Sequence, residues 1–303
     1  NLPRSSVDEV YAQIISDLEY CISVLPKADV PTQKGGHATQ GAAYALLAQV
    51  YAAKNPADWS KVKEYCDDVI SSNVYQLLPD YDQLFDGDHY NNSESIFEFQ
   101  FKKPNAAAFV YQLWAPPSRS GDTWRKFNTP SVDLIHAFRA EGDSIRLHSS
   151  ILFENIGAYW VDPVYGIIVP FMNKWRHPSG WSSEDDWYVI RLAETILLRA
   201  EAKNELNDIP GALNDLKLVR DRVNLPVKSL TTKADVSKAV LLERRLELAF
   251  EFYRWYDLLR AGTAIETMNA LGYSNAKSPR DLLFPIPQVE RNRNPNLTQN
   301  TGY

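Results

Sequence analysis

The chain has 303 residues, 45% of them hydrophobic and 23% charged, with a formal net charge of −6. A chain of this make-up is globular and long enough to bury a sizeable core without disulfides or metals, and its acidic balance argues against nucleic acid and anionic membrane as main partners, since both require a basic face. Cys21 and Cys66 are too few for a disulfide framework and lack metal-ligand spacing, and no apolar run reaches the roughly 18 residues of a membrane-crossing helix.

The first residues, NLPRSSVDEVY, lack the basic start and apolar core of a secretory leader, so whatever targeting the native chain has is not expected in this stretch. Ser6 caps a first helix and Glu9 completes a capping box. Val10, Ile14, Ile15, Leu18, Ile22 and Leu25 then follow at helical spacing up to Pro26, forming one apolar stripe with no partner upstream. After a loop over 27–38, the spacing predicts a second helix from Thr39 to Lys54. Asn55-Pro56 breaks it, and a third helix runs from Asp58 to Ser72. Tyr44, Leu47, Ala48 and Tyr51 have the spacing of the first half of a tetratricopeptide unit, with Tyr and Ala in place of its Trp and Gly. Both cysteines fall in apolar helical settings, where a free Cys acts as a small buried hydrophobe.

Ile96, Phe97, Phe99 and Phe101, with Glu98 and Gln100 between them, predict a short strand. From Lys102 to Trp187 prolines and glycines punctuate a loop-rich segment. One helix is expected within it, from Thr129 to Ala140, with Thr129 as N-cap and Pro130 in the first turn. A helical hairpin follows over 188–223, in which Ala200, Ala212 and Leu216 again match tetratricopeptide positions and Asp208 caps the second helix. One long helix is expected from Thr232 to Arg260, stopped by Gly262. Its Glu243, Arg244, Glu247, Glu251, Arg254 and Asp257, interspersed with Leu246, Phe250 and Trp255, read as structural ion pairs. Glu247 and Glu251 each stand three residues from an Arg, which suits pairing along the helix. The tail, with FPIP at its centre, is expected to lie along the body in extended form.

The order of these blocks carries a resemblance. RSSVDEVYAQIISDLEYCISVLP, GHATQGAAYALLAQVYAAK, YQLLPDYDQLF, ESIFEFQF, YVIRLAETILLRAEA, LLERRLELAFEFYRWYDLLRAG and LLFPIPQVERNRNPNLTQNTGY together span nearly the whole chain. They resemble the SusD/RagB-type outer-membrane glycan-binding lipoproteins. The resemblance implies a mostly α fold, with tetratricopeptide-like helical hairpins and a loop-rich insertion, in one domain over 1–303. Its parts are a helical repeat part (1–101), the aromatic insertion (102–187), and a helical repeat, long helix and extended tail (188–303). It also implies non-catalytic binding of a glycan or another nutrient at the cell surface, delivery to a TonB-dependent (SusC-type) transporter, and a lipid anchor upstream. Two departures are visible. The family begins with a signal peptide, a lipidated Cys and further helical repeat ahead of the equivalent of Arg4, which is why an N-terminal part is expected to be missing here. It also tends to carry Gly where this chain has Phe252.

Sugar recognition needs flat apolar faces and nearby polar groups for hydroxyls. The insertion holds Trp114, Trp124, Trp160, Trp175, Trp181 and Trp187. Trp181, in a Gly-Trp-Ser-Ser loop, is the foremost ligand-binding candidate, followed by Trp160 and Trp124, then Trp114 and Trp175. The competing role for each is core, since a helix-poor insertion needs large apolar side chains to pack at all. No catalytic group is expected: the adjacent carboxylates of Glu184, Asp185 and Asp186 point different ways, unlike a glycosidase pair facing across a cleft. Asp82, Asp86, Asp88 and Asn91 fail the calcium-loop pattern, and the five histidines show no zinc spacing. Neither a metal nor another cofactor is expected. The alternative to glycan capture is a tetratricopeptide-type scaffold whose groove binds a protein.

Overall fold

The structure, a computed structural model, describes residues 2–27, 36–101, 113–121, 123, 126–179, 182–273 and 275–303. Helix α1 (Val7–Val24) starts at Ser6 with the expected capping box. It buries no residue fully, and only the inner part of its stripe, Ile15, Leu18 and Ile22, packs against Leu47, Ala48, Val62 and Cys66. Helices α2 (Gln40–Ala53) and α3 (Trp59–Ser71), capped by Thr39 and Asp58, form the first hairpin. Cys66 is buried among their apolar side chains, and both cysteines are free.

Strand β1 (Ser95–Phe99) follows. In the insertion, α4 (Pro117–Ser120), α5 (Val132–Glu141) and α6 (Ser144–Ser150) precede an antiparallel pair, β2 (Ile151–Asn155) and β3 (Ile168–Met172). A shorter pair, β4 (Pro178–Ser179) with β5 (Ser182–Ser183), comes next, and β6 (Trp187–Arg191) closes the segment by pairing with β1. The insertion thus leaves and re-enters the body on a two-stranded stem, in which Phe99 faces Trp187 and Phe97 faces Ile190. That pairing corrects the sequence reading at 188–191, which is strand and not the start of a helix. The α5 helix also begins later than expected: Ser131, not Thr129, accepts from the first-turn amide.

The second hairpin is α7 (Leu192–Glu205) and α8 (Ile209–Asp221), with Asp208 as N-cap and Pro210 in the first turn. Ile196, Leu197, Ala200, Ala212, Leu216 and Val219 pack with Ala45, Val69, Ile96 and Ile190 into the main core. Helix α9 (Lys233–Glu247) contributes Val236 and Val240 to it. The mostly helical class with tetratricopeptide-like hairpins is therefore the observed architecture.

The single long helix is not observed. The chain breaks after Glu247 and resumes as α10 (Arg254–Arg260), and in the intervening turn Phe250 and Phe252 are left-handed, at φ +68° and +69°. Helical spacing would set two such rings about 200° apart; the turn brings both against the group of Trp114, Trp175 and Trp187. The expected pairing along the helix is likewise replaced by pairing across elements. Glu247 accepts from Arg191 at 2.6 Å and Arg146 at 3.0 Å as well as from Arg222, while Glu251 binds Arg191 at 2.7 Å and Lys174 at 2.5 Å. Arg146 also meets Asp143 and Glu243, and Arg191 meets Glu94, all without solvent. One buried network therefore ties the stem and the insertion to the scaffold.

The tail adds α11 (Ala264–Ala270) and α12 (Gln288–Arg293), with residues 283–287 extended between short helical stretches. It returns to the chain start, where Arg4 donates to Asn300 at 2.9 Å and Asn294 to the Leu2 carbonyl at 2.9 Å.

Candidate ligand-binding site

Because the stem holds Trp187 on its last strand and the turn after α9 holds Phe252, three tryptophans of the insertion, Trp114, Trp175 and Trp187, gather where scaffold and insertion meet. Trp114, Trp175, Trp187 and Phe252 form a four-ring group with centroids 5.5–6.3 Å apart, in stacked and tilted geometries that favour aromatic pairs. Trp114 and Trp175 are buried within it, and the Trp175 indole donates to the Asp186 carbonyl at 3.3 Å. Phe252 is 55% exposed.

The group opens on a cavity of about 510 Å³ between insertion stem and scaffold. Trp175, Trp187, Phe252, Phe99 and Tyr256 supply aromatic lining, joined by Tyr11 of α1. Its charged lining groups all have partners: Arg244 binds Glu194 at 3.1 Å and Asp257 at 2.9 Å, Arg260 binds Asp257 at 2.8 Å, and Glu251 binds Arg191 and Lys174. The cavity has the volume of a small-ligand pocket, but it leaves few polar groups open for hydroxyls.

The loops of the insertion have the opposite character. At the end of the β2–β3 pair, Trp160 is partly buried against Ile156, Val169 and Phe171, and its neighbour Tyr159, with ring centroid 6.4 Å away, is 52% exposed. Beside the β4–β5 pair, the buried Asp185 collects the backbone amides of Arg176 and His177 at 2.9 and 2.8 Å, the Tyr90 hydroxyl at 3.1 Å and the His177 ring at 2.8 Å. His177 is half exposed, and Nδ1 of His89 is similarly held by Asp86 at 2.7 Å. Arg176 is fixed by a two-pronged contact to Asp82 at 2.6 and 2.7 Å. An aromatic face at the far end of the β2–β3 pair and anchored polar side chains beside the β4–β5 pair and in the 82–90 loop are therefore both present, the two kinds of group a sugar requires. No group of His, Cys, Asp and Glu suited to a metal occurs among the described residues.

Asp186 links loops and stem: it accepts from the Phe101 amide at 2.8 Å. Burial, with a neighbouring Glu98 carboxyl opposing the Phe101 amide, pushes its carboxyl up to about 7.

Of the five expected ligand tryptophans, the structure joins Trp114 and Trp175 in the buried group and sets Trp160 apart on the β2–β3 pair. Trp181 and Trp124 lie outside the described residues. The sequence reading named Trp187 among the insertion tryptophans without ranking it, and missed Phe252, Phe99 and Tyr256 as cavity lining and Asp185 as the loop anchor. Of the missed residues Phe252 alone had a signal, as the departure from Gly.

Residues 164–303 match the model of the SusD family, and residues 1–52 match one described as starch-binding associating with outer membrane. SusD-like protein P25 of Formosa agariphila is 26% identical over 100% of this chain and 66% of its own length. A SusD-like protein of Bacteroides ovatus is 26% identical over 85% of this chain and 51% of its own length. The chain thus spans less than two thirds of these curated relatives. Among solved structures, a laminarin binding SusD-like protein superposes with a TM-score of 0.79 at 26% identity, covering 99% of this chain and 70% of that one. Surface glycan-binding protein A from Bacteroides uniformis does so with 0.78 at 25%, covering 98% and 70%.

Proposed function

The chain belongs to the SusD/RagB-type family, and from that premise we propose that it binds a glycan through its loop-rich insertion, without making or breaking a bond. The observation that carries this reading is that the insertion carries both a partly open Tyr159–Trp160 face and a polar side chain, His177, held by Asp185. A pyranose would stack its C–H face on the rings and give its hydroxyls to anchored donors and acceptors. Trp181 and Trp124 are proposed to add to this surface, while the buried Trp175 and Trp114 pack the joint between insertion and scaffold. The solved structures described as a laminarin binding protein and a surface glycan-binding protein support the ligand class. Delivery of the glycan to a TonB-dependent transporter at the outer-membrane surface is the further step of the proposal, supported by the family alone.

Affinity electrophoresis through gels containing laminarin or other neutral polysaccharides tests the reading. Retardation by at least one glycan is expected, with Trp160→Ala and Trp181→Ala each weakening it by about tenfold, equivalent to about 1.4 kcal/mol. Unretarded migration on every glycan would overturn the proposal, and release of reducing sugar would replace it with catalysis.

A further inference from the structure

Arg199 shows how this fold satisfies a partly buried guanidinium: its Nε and Nη2 donate side by side to the two carboxylate oxygens of Asp215, at 2.9 and 2.7 Å. Arg176, Arg245 and Arg260 also meet carboxylates, those of Asp82, Asp133 and Asp257. Arg119, in the insertion, does not. From α4 its Nη1 donates to the Asn173 side chain at 2.8 Å, and it forms no ion pair among the described residues. Its Nε and Nη2, the edge that Arg199 gives to Asp215, find no acceptor among the described residues. Unlike Nη2 of Arg146 or Nε of Arg222, they are not sealed from solvent.

The setting is the polar corner of the insertion. The α4 turn packs against β4, beside Arg176, His177 and Asp185. Asn173 gathers two cations there, its side chain accepting from Arg119 and its carbonyl from Arg176 Nε at 2.6 Å, while its own amide group is held by the His148 carbonyl at 3.0 Å. Of the two guanidinium groups only Arg176 has a countercharge. The carboxylates that attract Arg119 are already committed: Glu154 accepts from the Ser118 amide and hydroxyl, and Asp185 from the amides of Arg176 and His177. Burial and the facing Arg176 together pull the Arg119 side chain below its ordinary value, the direction expected of a cation short of countercharge. Arginine nevertheless stays charged.

We propose that the Nε–Nη2 edge of Arg119 receives an anionic substituent of the glycan, a uronate carboxylate or a sulfate ester, through two parallel hydrogen bonds, so that acidic polysaccharides bind in preference to neutral ones. A pair of anionic oxygens matches the two N–H groups of that edge and supplies the missing charge, which a sugar hydroxyl cannot do. The inference rests on glycan binding by the insertion and names the ligand class within it.

Isothermal titration calorimetry with matched polysaccharides is the test, run at about 0.15 M salt to screen long-range attraction. Polygalacturonate and alginate are each compared with their methyl esters, and κ-carrageenan with its desulfated form, so that backbone is shared and charge is not. At least one acidic member should bind about tenfold more tightly than its neutral counterpart; the carboxylate pairs and the sulfate pair separate the two sources of charge. Arg119→Gln should erase the preference and keep the affinity for the neutral member, which also shows that the variant is folded, and Arg119→Lys should keep only part of the preference. Arg139→Gln, which removes an exposed charge from α5, should leave it intact. Equal binding within every pair, an unchanged preference in Arg119→Gln, or an equal loss in Arg139→Gln would overturn this inference alone. No binding by any member would overturn the glycan reading together with it.

Discussion

Asp186 and Glu247 show opposite uses of a buried carboxyl. Asp186 is raised from 3.8 to about 7, so the folded protein holds a proton there that the unfolded chain releases. Its contribution to stability is full below about pH 4 and is lost as pH rises through 7. Asp186→Asn keeps an acceptor for the Phe101 amide and can donate to Glu98. It should stabilise the protein at pH 8 by about 1 kcal/mol, a figure reduced for partial solvent exposure, with no gain at pH 4. Urea midpoints of the two proteins at both pH values measure this, and a gain equal at both would refute the assignment. Glu247 is the reverse: burial raises it, but Arg222, Arg191 and Arg146 together hold it well below the usual carboxylate range. Glu247→Gln leaves three buried guanidinium groups short of charge and should cost about 3–5 kcal/mol, read as a fall in the denaturation midpoint at pH 7.

At the scale of elements, the turn between α9 and α10 decides how the insertion meets the scaffold. Phe252→Gly removes left-handed strain of about 1–2 kcal/mol but loses ring contacts and adds glycine's unfolded-state freedom, so the net change in stability should be below about 1 kcal/mol. Trp175→Ala, emptying a buried site in the same ring group, should cost about 3–5 kcal/mol. Thermal melts of both variants check the pair; equal losses would mean that Phe252 is a core residue like its neighbour. The hairpin helices α2, α3, α7 and α8 were legible in the sequence because capping residues and apolar spacing are local signals. The break after Glu247 was not, because LERRLELAFEFYRWYDLLR has helical spacing throughout and its local preference yields to the ring group and to the Glu251 contacts with Arg191 and Lys174.

For the whole molecule, the ion network is the joint between scaffold and insertion. Glu247 and Glu251 are both depressed below the ordinary value of 4.5, so the stability they confer is present above that pH and is lost as pH falls through their folded values. Asp143, raised by burial, opposes this weakly from within the same network. Combined with Asp186, the balance predicts greatest stability near pH 5 within the range from about pH 3 to 8, with a shallow decline towards neutrality and a steep one in acid. A series of urea unfolding curves across that range measures it, and a maximum at pH 7 or above would contradict the balance.

The sequence by itself determined the helical class, the two hairpins, their caps and the family, because each rests on residues close together in the chain or on the order of recognisable blocks. Candidate tryptophans were legible only as a set. Whether an indole becomes core or surface depends on what the chain brings against it from afar, as Phe252 and Trp187 do for Trp114 and Trp175, while Trp160 packs against a different cluster. Tertiary structure alone decided the stem pairing of β1 with β6 and the cross-element partners of Glu247 and Glu251. These depend on long-range packing in a medium where every buried charge needs a partner, and no local spacing encodes which distant residue will provide it.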